Sequence, residues 1–248
     1  IGDVRDKSSL INASRGIDYI IHAAATKIVP TSEINPFECI KTNINGAMNV
    51  IEASIINKVK KVVSLSTDKA SNPINLYGAT KLASDKLFVA ANGMDEMSKT
   101  IFSIVRYGNV MGSRGSVIPF FINNANNDKI IPITDTKMTR FMITLEQGVA
   151  LVLHAIKDSL GGEIYVKKIP SMNIVDIAKS ISTSSKIIII GKRPGEKIHE
   201  QMIGEEDSEF TYEYKDYYKI LPSIRDFHKD KKRIKNGILV KKDFVYKS

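Results

Sequence analysis

The sequence predicts an α/β protein: a doubly wound parallel sheet followed by a smaller C-terminal α/β lobe. Three observations carry this. Short β-branched runs alternate with longer segments whose apolar residues recur every three or four positions, the pattern of strands separated by helices. The runs are apolar throughout rather than alternating, as in strands covered on both faces. The connections between them are long enough to hold the crossover helices that parallel neighbours require.

The opening Ile1-Gly-Asp-Val-Arg-Asp6 lacks a starting Met and reads as the end of a strand running into a loop. The chain is therefore expected to be a fragment whose N-terminal part is missing. Ile17-Asp-Tyr-Ile-Ile-His-Ala-Ala-Ala25 is the first buried strand, and its small residues would let a ligand approach the backbone. Asn35-Pro36 resembles an N-cap with Pro at the first helical position. Phe37, Ile40, Ile44, Ala47 or Met48, Ile51 and Ile55 then form one apolar helix stripe. Residues 60–66 read as a strand, 77–92 as a helix and 101–106 as a strand. Ligands of such sheets bind beyond the carboxyl ends of the strands. Residues 23–27, 66–69 and 107–110 should therefore line one crevice.

After about residue 113 the rhythm loosens. Gly112-Ser-Arg-Gly-Ser is a turn feeding a helix, followed by strands at 130–134, 163–166 and 186–190 and helices at 145–157 and 173–182. Arg193-Pro-Gly-Glu-Lys197 is a turn. The expected division is a sheet domain over 1–112, a mainly substrate-binding lobe over 113–225 and a basic tail over 226–248.

With 248 residues the chain can build a full core. No run approaches the roughly 18 apolar residues of a membrane span. No signal peptide is visible, and the single Cys39 excludes an internal disulfide framework. These features predict a cytoplasmic setting without a membrane partner. Much of the net charge of +9 comes from Lys229, Lys231, Lys232, Arg233, Lys235, Lys241 and Lys242. No aromatic interleaving accompanies them, so they read as a solvated face rather than a nucleic-acid site. A basic balance also suits an anionic small molecule.

The chemistry gathers in Ser64-Leu-Ser-Thr-Asp-Lys-Ala70 and Tyr77-Gly-Ala-Thr-Lys81. Helical spacing places Tyr77 and Lys81 on one face. A free tyrosine, with a pKa of about 10, is a poor base at neutral pH, and a nearby ammonium favours its phenolate. Such a tyrosine can take a hydroxyl proton while the carbon loses hydride to an oxidised nicotinamide. Ser66 or Thr67 could hold the same hydroxyl, while Asp68 and Lys69 place an acid and a base beside the oxidised carbon. A Tyr-x-x-x-Lys spacing recurs by chance in many helices; its place after a strand ending Ser-Thr-Asp-Lys gives it weight. His22 reads as structural and Cys39 as packing. His199 beside Glu200 lacks metal-ligand spacing, so no metal site is expected.

Taken together, the motifs resemble those of the extended short-chain dehydrogenase/reductases, and within them of the inverting UDP-N-acetylglucosamine 4,6-dehydratases that begin pseudaminic acid synthesis. The carriers are Gly2-Asp-Val-Arg-Asp6, His22-Ala-Ala-Ala-Thr-Lys27, Lys41-Thr-Asn-Ile-Asn-Gly46, Leu65-Ser-Thr-Asp-Lys-Ala70 and Asn75-Leu-Tyr-Gly-Ala-Thr-Lys81. Arg106-Tyr-Gly-Asn-Val110, Gly112-Ser-Arg-Gly-Ser-Val117, Met138-Thr-Arg-Phe141 and Arg193-Pro-Gly-Glu-Lys197 continue them.

The resemblance implies a Rossmann-like sheet lacking its first strands. It implies Tyr77 as the base for the C4 hydroxyl, Lys69 as the base at C5 and Asp68 as the acid for the leaving C6 hydroxyl, with Thr67 and Lys81 assisting. For that role Lys69 would need a lowered pKa, through burial or the positive charge of Lys81 and the nicotinamide. Asp3, Val4, Ala23, Lys27, Asn43, Ser66, Tyr77, Lys81 and Val110 would meet the cofactor. Asn43 has a structural reading besides. Lys27, Asn109, Ile118, Pro119, Phe120, Phe121, Thr134 and Arg193 would meet the sugar nucleotide, Arg193 by bidentate bonding to phosphate. The implied cofactor is NADP, with NAD possible because the glycine-rich turn and the segment that discriminates the two lie outside this sequence. The implied substrate is UDP-N-acetylglucosamine, and relatives assemble as homo-oligomers. A retaining 4,6-dehydratase, a 4-epimerase and a non-catalytic nucleotide-binding fragment are the competing readings.

Overall fold

The structure is a computed structural model and describes residues 1–94, 99–224 and 230–248. Residues 1–6 form a loop rather than a strand end and lead into helix α1 (Lys7–Ala13), which Asp6 caps by accepting from the Ser9 amide. Strand β1 (Tyr19–His22) precedes two short helices, α2 (Val29–Ile34) and α3 (Pro36–Ile40). The apolar stripe beginning at Phe37 runs through α3, a π-helical turn (Lys41–Asn45) and α4 (Gly46–Ile56). The predicted helix is thus interrupted by one wider turn. Next come β2 (Lys61–Thr67), a 3-10 turn (Asp68–Ala70), α5 (Leu76–Ala91) and β3 (Ile101–Tyr107).

Strands β1, β2 and β3 pair in parallel, with Tyr19 opposite Lys61 and Ser64 opposite Ile104. Successive side chains of a strand face opposite sides of the sheet, so Val62 and Val63 serve different cores. Val62, Phe102 and Ile104 pack with Val50 and Ile51 of α4 and Phe88 of α5. Val63 and Val105 pack on the other side with Leu151, Val152 and Ala155. Those three belong to α7 (Leu145–Asp158), which follows β4 (Asn109–Val110), α6 (Val117–Asn127), β5 (Ile130–Ile133) and β6 (Thr139–Ile143). Thr144 and Gln147 close a capping box at the start of α7. Helices on both faces make the sheet doubly wound, as predicted.

The chain then continues through β7 (Ile164–Lys167), β8 (Ser171–Asn173), α8 (Ile174–Ile181) and β9 (Lys186–Ile189). It ends in β10 (Gln201–Ile203), a 3-10 segment (Glu205–Phe210), β11 (Thr211–Glu213), β12 (Tyr217–Ile220), β13 (Ile238–Leu239) and β14 (Tyr246–Lys247). The main sheet has the order β1-β2-β3-β7-β12-β11-β13. β7 joins β3 in parallel, and β12, β11 and β13 extend the sheet antiparallel. The second half therefore completes the first half's sheet, where the sequence suggested a division near residue 112. A separate cluster holds Phe121 and Ala125 of α6, Ile131 and Ile133 of β5 and Ile174, Ile177 and Ala178 of α8. This is the smaller lobe, and β9 pairs with β5 at its edge.

The C-terminal segment is less solvated than its composition suggested. Arg233 is buried against Glu163, with Nη1 2.5 Å from Oε1, because a buried carboxylate needs a partner. Val240 is buried, and β14 pairs with β10. Lys231, Lys232, Lys235, Lys241 and Lys242 are exposed, while Lys229 lies outside the described residues. Among the described residues no helix is long and apolar enough to cross a membrane.

Candidate active site

Strand β2 ends in Thr67, whose Oγ1 accepts from the Lys69 amide at 3.3 Å and caps the 3-10 turn. That turn brings the next two side chains round to one side. Asp68 is 1% exposed, and its Oδ1 accepts from Thr67 Oγ1 at 2.9 Å and from Lys69 Nζ at 3.1 Å. Helix α5 starts immediately beyond, capped by Asn75, whose Oδ1 accepts from the Gly78 amide at 2.8 Å. Gly78 allows this closeness: a Cβ there would lie 2.3 Å from the Lys69 carbonyl oxygen. Tyr77, Lys81 and Asp85 follow on one face of α5 at four-residue spacing, all buried.

The second half of the chain supplies the other wall. Glu200, 2% exposed, puts Oε1 3.1 Å from Lys69 Nζ, and Arg140 Nε lies 3.9 Å from the same oxygen. Asn75 Nδ2 donates to the Gly195 carbonyl at 2.8 Å, and Lys197 Nζ donates to the Ser71 carbonyl at 2.8 Å. The turn predicted at 193–197 is thereby fastened to the segment between β2 and α5.

Two electrostatic expectations are corrected. Burial pulls the Lys69 ammonium towards its neutral form, but Asp68 and Glu200 together outweigh it and hold the pKa above the ordinary lysine value. Arg140 opposes them, and Lys81 plays no part. Burial pushes the Tyr77 hydroxyl up to about 12, against the pull of Lys69 and a hydrogen bond with Thr67, while Asp68 and Asp85 add to the rise. The cation that favours the Tyr77 phenolate is thus Lys69 rather than its helical neighbour Lys81. Lys81 itself is lowered by burial, which Asp85 opposes.

Ser66 is also differently occupied. Its Oγ donates to Asp85 Oδ2 at 2.7 Å, and Arg106 Nη2 donates to the same oxygen at 3.3 Å. Thr67, not Ser66, is the hydroxyl bonded to Tyr77.

These groups open onto a cavity of about 750 Å³, a ligand-sized volume. Of the residues singled out in the sequence, Ala23, Lys27, Ser66, Thr67, Asp68, Lys69, Tyr77, Lys81, Asn109, Val110, Pro119, Phe120, Phe121, Thr134 and Arg193 line it. Four do not. Asp3 is exposed and bonded to the Arg5 guanidinium, which holds its carboxyl down at about 2. Val4 packs its side chain over Gly46, and its carbonyl accepts from Asn49 Nδ2 at 3.0 Å. Ile118 packs against the lobe core instead of the cavity. Asn43 bonds the loop after β1, with Oδ1 accepting from the Thr26 amide at 2.8 Å and Nδ2 donating to its carbonyl at 3.0 Å.

His22 is buried against Phe88, with ring centroids 5.6 Å apart, and burial followed by the Lys81 charge lowers it to about 4. Cys39 is buried beside Thr80. Among the described residues no group of three His, Cys, Asp or Glu side chains could hold a metal ion.

Sequence reasoning missed Glu200, Arg140, Asp85 and the buried Arg106. Asp85 had a signal, since it stands four residues beyond Lys81 on the helix face already identified. Arg106 and Arg140 stood in quoted motifs without a role assigned to them, and Glu200 had no signal, because only the tertiary fold brings it to Lys69.

The family model described as polysaccharide biosynthesis protein matches residues 1–222. The chain belongs to this family. Its sequence is 58% identical over 231 residues to the UDP-N-acetylglucosamine 4,6-dehydratase (inverting) of Campylobacter jejuni serotype O:2, covering 93% of this chain and 69% of the relative. It is 46% identical over 232 residues to the UDP-glucose 4-epimerase of Rickettsia canadensis, covering 92% of this chain and 68% of that one. Among solved structures, Pen from Bacillus thuringiensis matches with a TM-score of 0.93 at 39% identity, over 100% of this chain and 76% of the other. The family member described here is therefore an extended short-chain dehydrogenase/reductase by sequence and by fold.

Proposed function

We propose that the protein dehydrates UDP-N-acetylglucosamine across C5 and C6 after oxidation at C4, with inversion at C5. The observation that carries this is the Asp68–Lys69 pair, set at the end of β2 and facing Tyr77 across one cavity. The 58% identity to a protein of that name supports the substrate.

This chain's residues fit the nicotinamide end of a dinucleotide. Lys81 is 3% exposed, reaches the cavity and makes no hydrogen bond or ion pair among the described residues, so its ammonium is available to ribose hydroxyls. Ala23 and Ala25 leave room beside it. When bound there, a nicotinamide would supply the hydride acceptor for C4 and the hydride donor for C6. Tyr77, hydrogen-bonded to Thr67 and under the influence of Lys69, takes the C4 hydroxyl proton. The ketone formed acidifies the C5 hydrogen, which Lys69 removes. Asp68, buried with Oδ2 unpartnered, receives the proton that Lys69 sheds to become a base, across their 3.1 Å contact, and gives it to the C6 hydroxyl as that leaves as water. Protonation of C5 from the opposite face completes the inversion.

In this reading the main sheet carries the cofactor, and the lobe with Phe120, Thr134 and Arg193 carries the sugar nucleotide. The family resemblance favours NADP, a cytoplasmic location and a homo-oligomer. The test is NMR of the products formed by the full-length protein from UDP-N-acetylglucosamine in deuterated water. A 4-keto-6-deoxy sugar of L-arabino configuration with deuterium at C5 is expected, and a product keeping the D configuration would overturn the inversion. The Rickettsia relative's name favours a second reading, 4-epimerisation, for which Tyr77 and Lys81 suffice and Asp68 and Lys69 have no task. A C4 epimer formed without loss of water would decide for it.

A further inference from the structure

We propose that Glu200 is a positioning residue for the elimination, holding the Lys69 ammonium over the cavity and governing when Lys69 releases its proton. This inference rests on the dehydratase reading above. Glu200 stands immediately before β10, and its backbone is fixed by Ser248. Its amide donates to Ser248 Oγ at 2.9 Å, and its carbonyl accepts from the Ser248 amide at 2.9 Å. Ser248 Oγ is in turn 2.8 Å from Thr139 Oγ1 on β6. The side chain so held offers Oε1 to Lys69, while Oε2 is buried without a partner among the described residues.

A carboxylate this deeply buried is costly unless it is paired, so its position is bound to that of Lys69. The groups acting on Lys69 come from five places: Asp68 on its own turn, Tyr77 from α5, Arg140 from β6, Glu200 before β10 and Lys197 from the closing turn. Two acids and two further cations thus surround one ammonium. A base must be neutral to take the C5 hydrogen, and the two carboxylates favour the charged form. Glu200 thereby makes loss of the Lys69 proton the gated event. Arg140, on the same Glu200 oxygen, acts in the opposite sense.

The opposed signs give the test. In the full-length holoenzyme, kcat and C5 deuterium incorporation are followed against pH for the parent, Glu200→Gln and Arg140→Gln. The acylation rate of Lys69 by acetic anhydride, read by mass spectrometry, is followed alongside. Glu200→Gln should move both the rate limb and the acylation profile to lower pH by about one unit, and Arg140→Gln should move them to higher pH. Glu200→Asp should lie between Glu200→Gln and the parent. Both profiles staying in place while activity falls equally at every pH would make Glu200 merely structural and overturn the proposal. If Glu200→Gln does not fold, Arg140→Gln carries the test, and an unmoved acylation profile overturns it. A parent enzyme that gives no C5 deuteration would instead sink the dehydratase reading, which separates the two failures.

Discussion

The Asn43 carboxamide clasps Thr26 by both of its backbone groups, accepting from the amide at 2.8 Å and donating to the carbonyl at 3.0 Å. Its Nδ2 also donates to Thr80 Oγ1 at 3.0 Å on α5, so one side chain ties the loop after β1 to the helix of Tyr77 and Lys81. It stands in the π turn between α3 and α4, and π turns often occur where a helix must present one residue out of register. Asn43→Ala removes both bonds to the half-buried Thr26 backbone, at a cost of about 1 kcal/mol. We expect a lowered unfolding midpoint and weaker cofactor binding, because Ala23 and Lys27 flank the released residue. Unchanged cofactor affinity in a folded variant would show that the clasp is structural only.

Lys69→Met separates the two halves of the proposed reaction. Without its base, C5 deuterium incorporation should fall by about 10²- to 10⁴-fold, while slow reduction of the cofactor by substrate continues. The continuing step should be slower than in the parent, since Tyr77 loses the cation that lowers it. Water elimination at the parent's rate would remove Lys69 from the mechanism.

Tyr77 itself predicts a pH dependence. Its hydroxyl is held up to about 12, so below that value the ionised fraction grows about tenfold per pH unit. Oxidation at C4, measured as single-turnover cofactor reduction, should therefore accelerate from neutral into alkaline pH. Tyr77→Phe should abolish the rise along with the rate, and a flat profile in the parent would exclude ionisation of Tyr77 as the controlling event.

His22 gives a stability prediction with a definite sign. Its folded pKa of about 4 lies below the ordinary value of 6.5, because burial and then Lys81 disfavour the cation. Above pH 6.5 the ring is neutral in both states, and no stability is lost on its account. As pH falls from 6.5 towards 4, the unfolded chain takes up a proton that the folded one refuses, and stability declines by up to about 3 kcal/mol. His22→Phe keeps an aromatic ring against Phe88 and should flatten that part of the curve. Denaturant unfolding of both proteins at several pH values across this window checks it, and parallel curves would contradict the assignment.

The parts of the fold legible in the sequence were those whose signal is local and long enough to repeat. Strands β2 and β3 are apolar because both faces are covered, whereas β1, read from the sequence as buried, is an edge strand with Tyr19 and Ile21 exposed; α4 and α5 carry stripes that repeat over several turns. Tyr77, Lys81, Asp68 and Lys69 were visible because they lie on adjoining elements. β8, β10, β11, β13 and β14 are only two or three residues long and hold too little periodicity to be seen. Helical spacing placed Lys81 beside Tyr77 on one face, yet the 3-10 turn after Thr67 brings Lys69 to act on the phenol instead. The Lys69–Glu200 contact joins the turn after β2 to the residue before β10, and no local pattern encodes such a pairing.

Gly78 is where backbone geometry and chemistry meet most closely. A Cβ on this residue would lie 2.3 Å from the Lys69 carbonyl oxygen and 3.0 Å from the Pro73 Cβ. The first contact is with backbone, so no side-chain rotation can relieve it. Gly78→Ala must push the turn carrying Asp68 and Lys69 away from α5, and overpacking of this kind costs about 1–3 kcal/mol. The displacement also separates Lys69 from Tyr77, so activity should suffer more than stability. We expect a folded variant with a modestly lowered unfolding midpoint and at least tenfold lower kcat, since an ångström of misplacement costs about 10²-fold when groups must be aligned. Gly78→Ala retaining the parent's kcat would show that the approach of α5 to the Lys69 turn is not needed for the reaction.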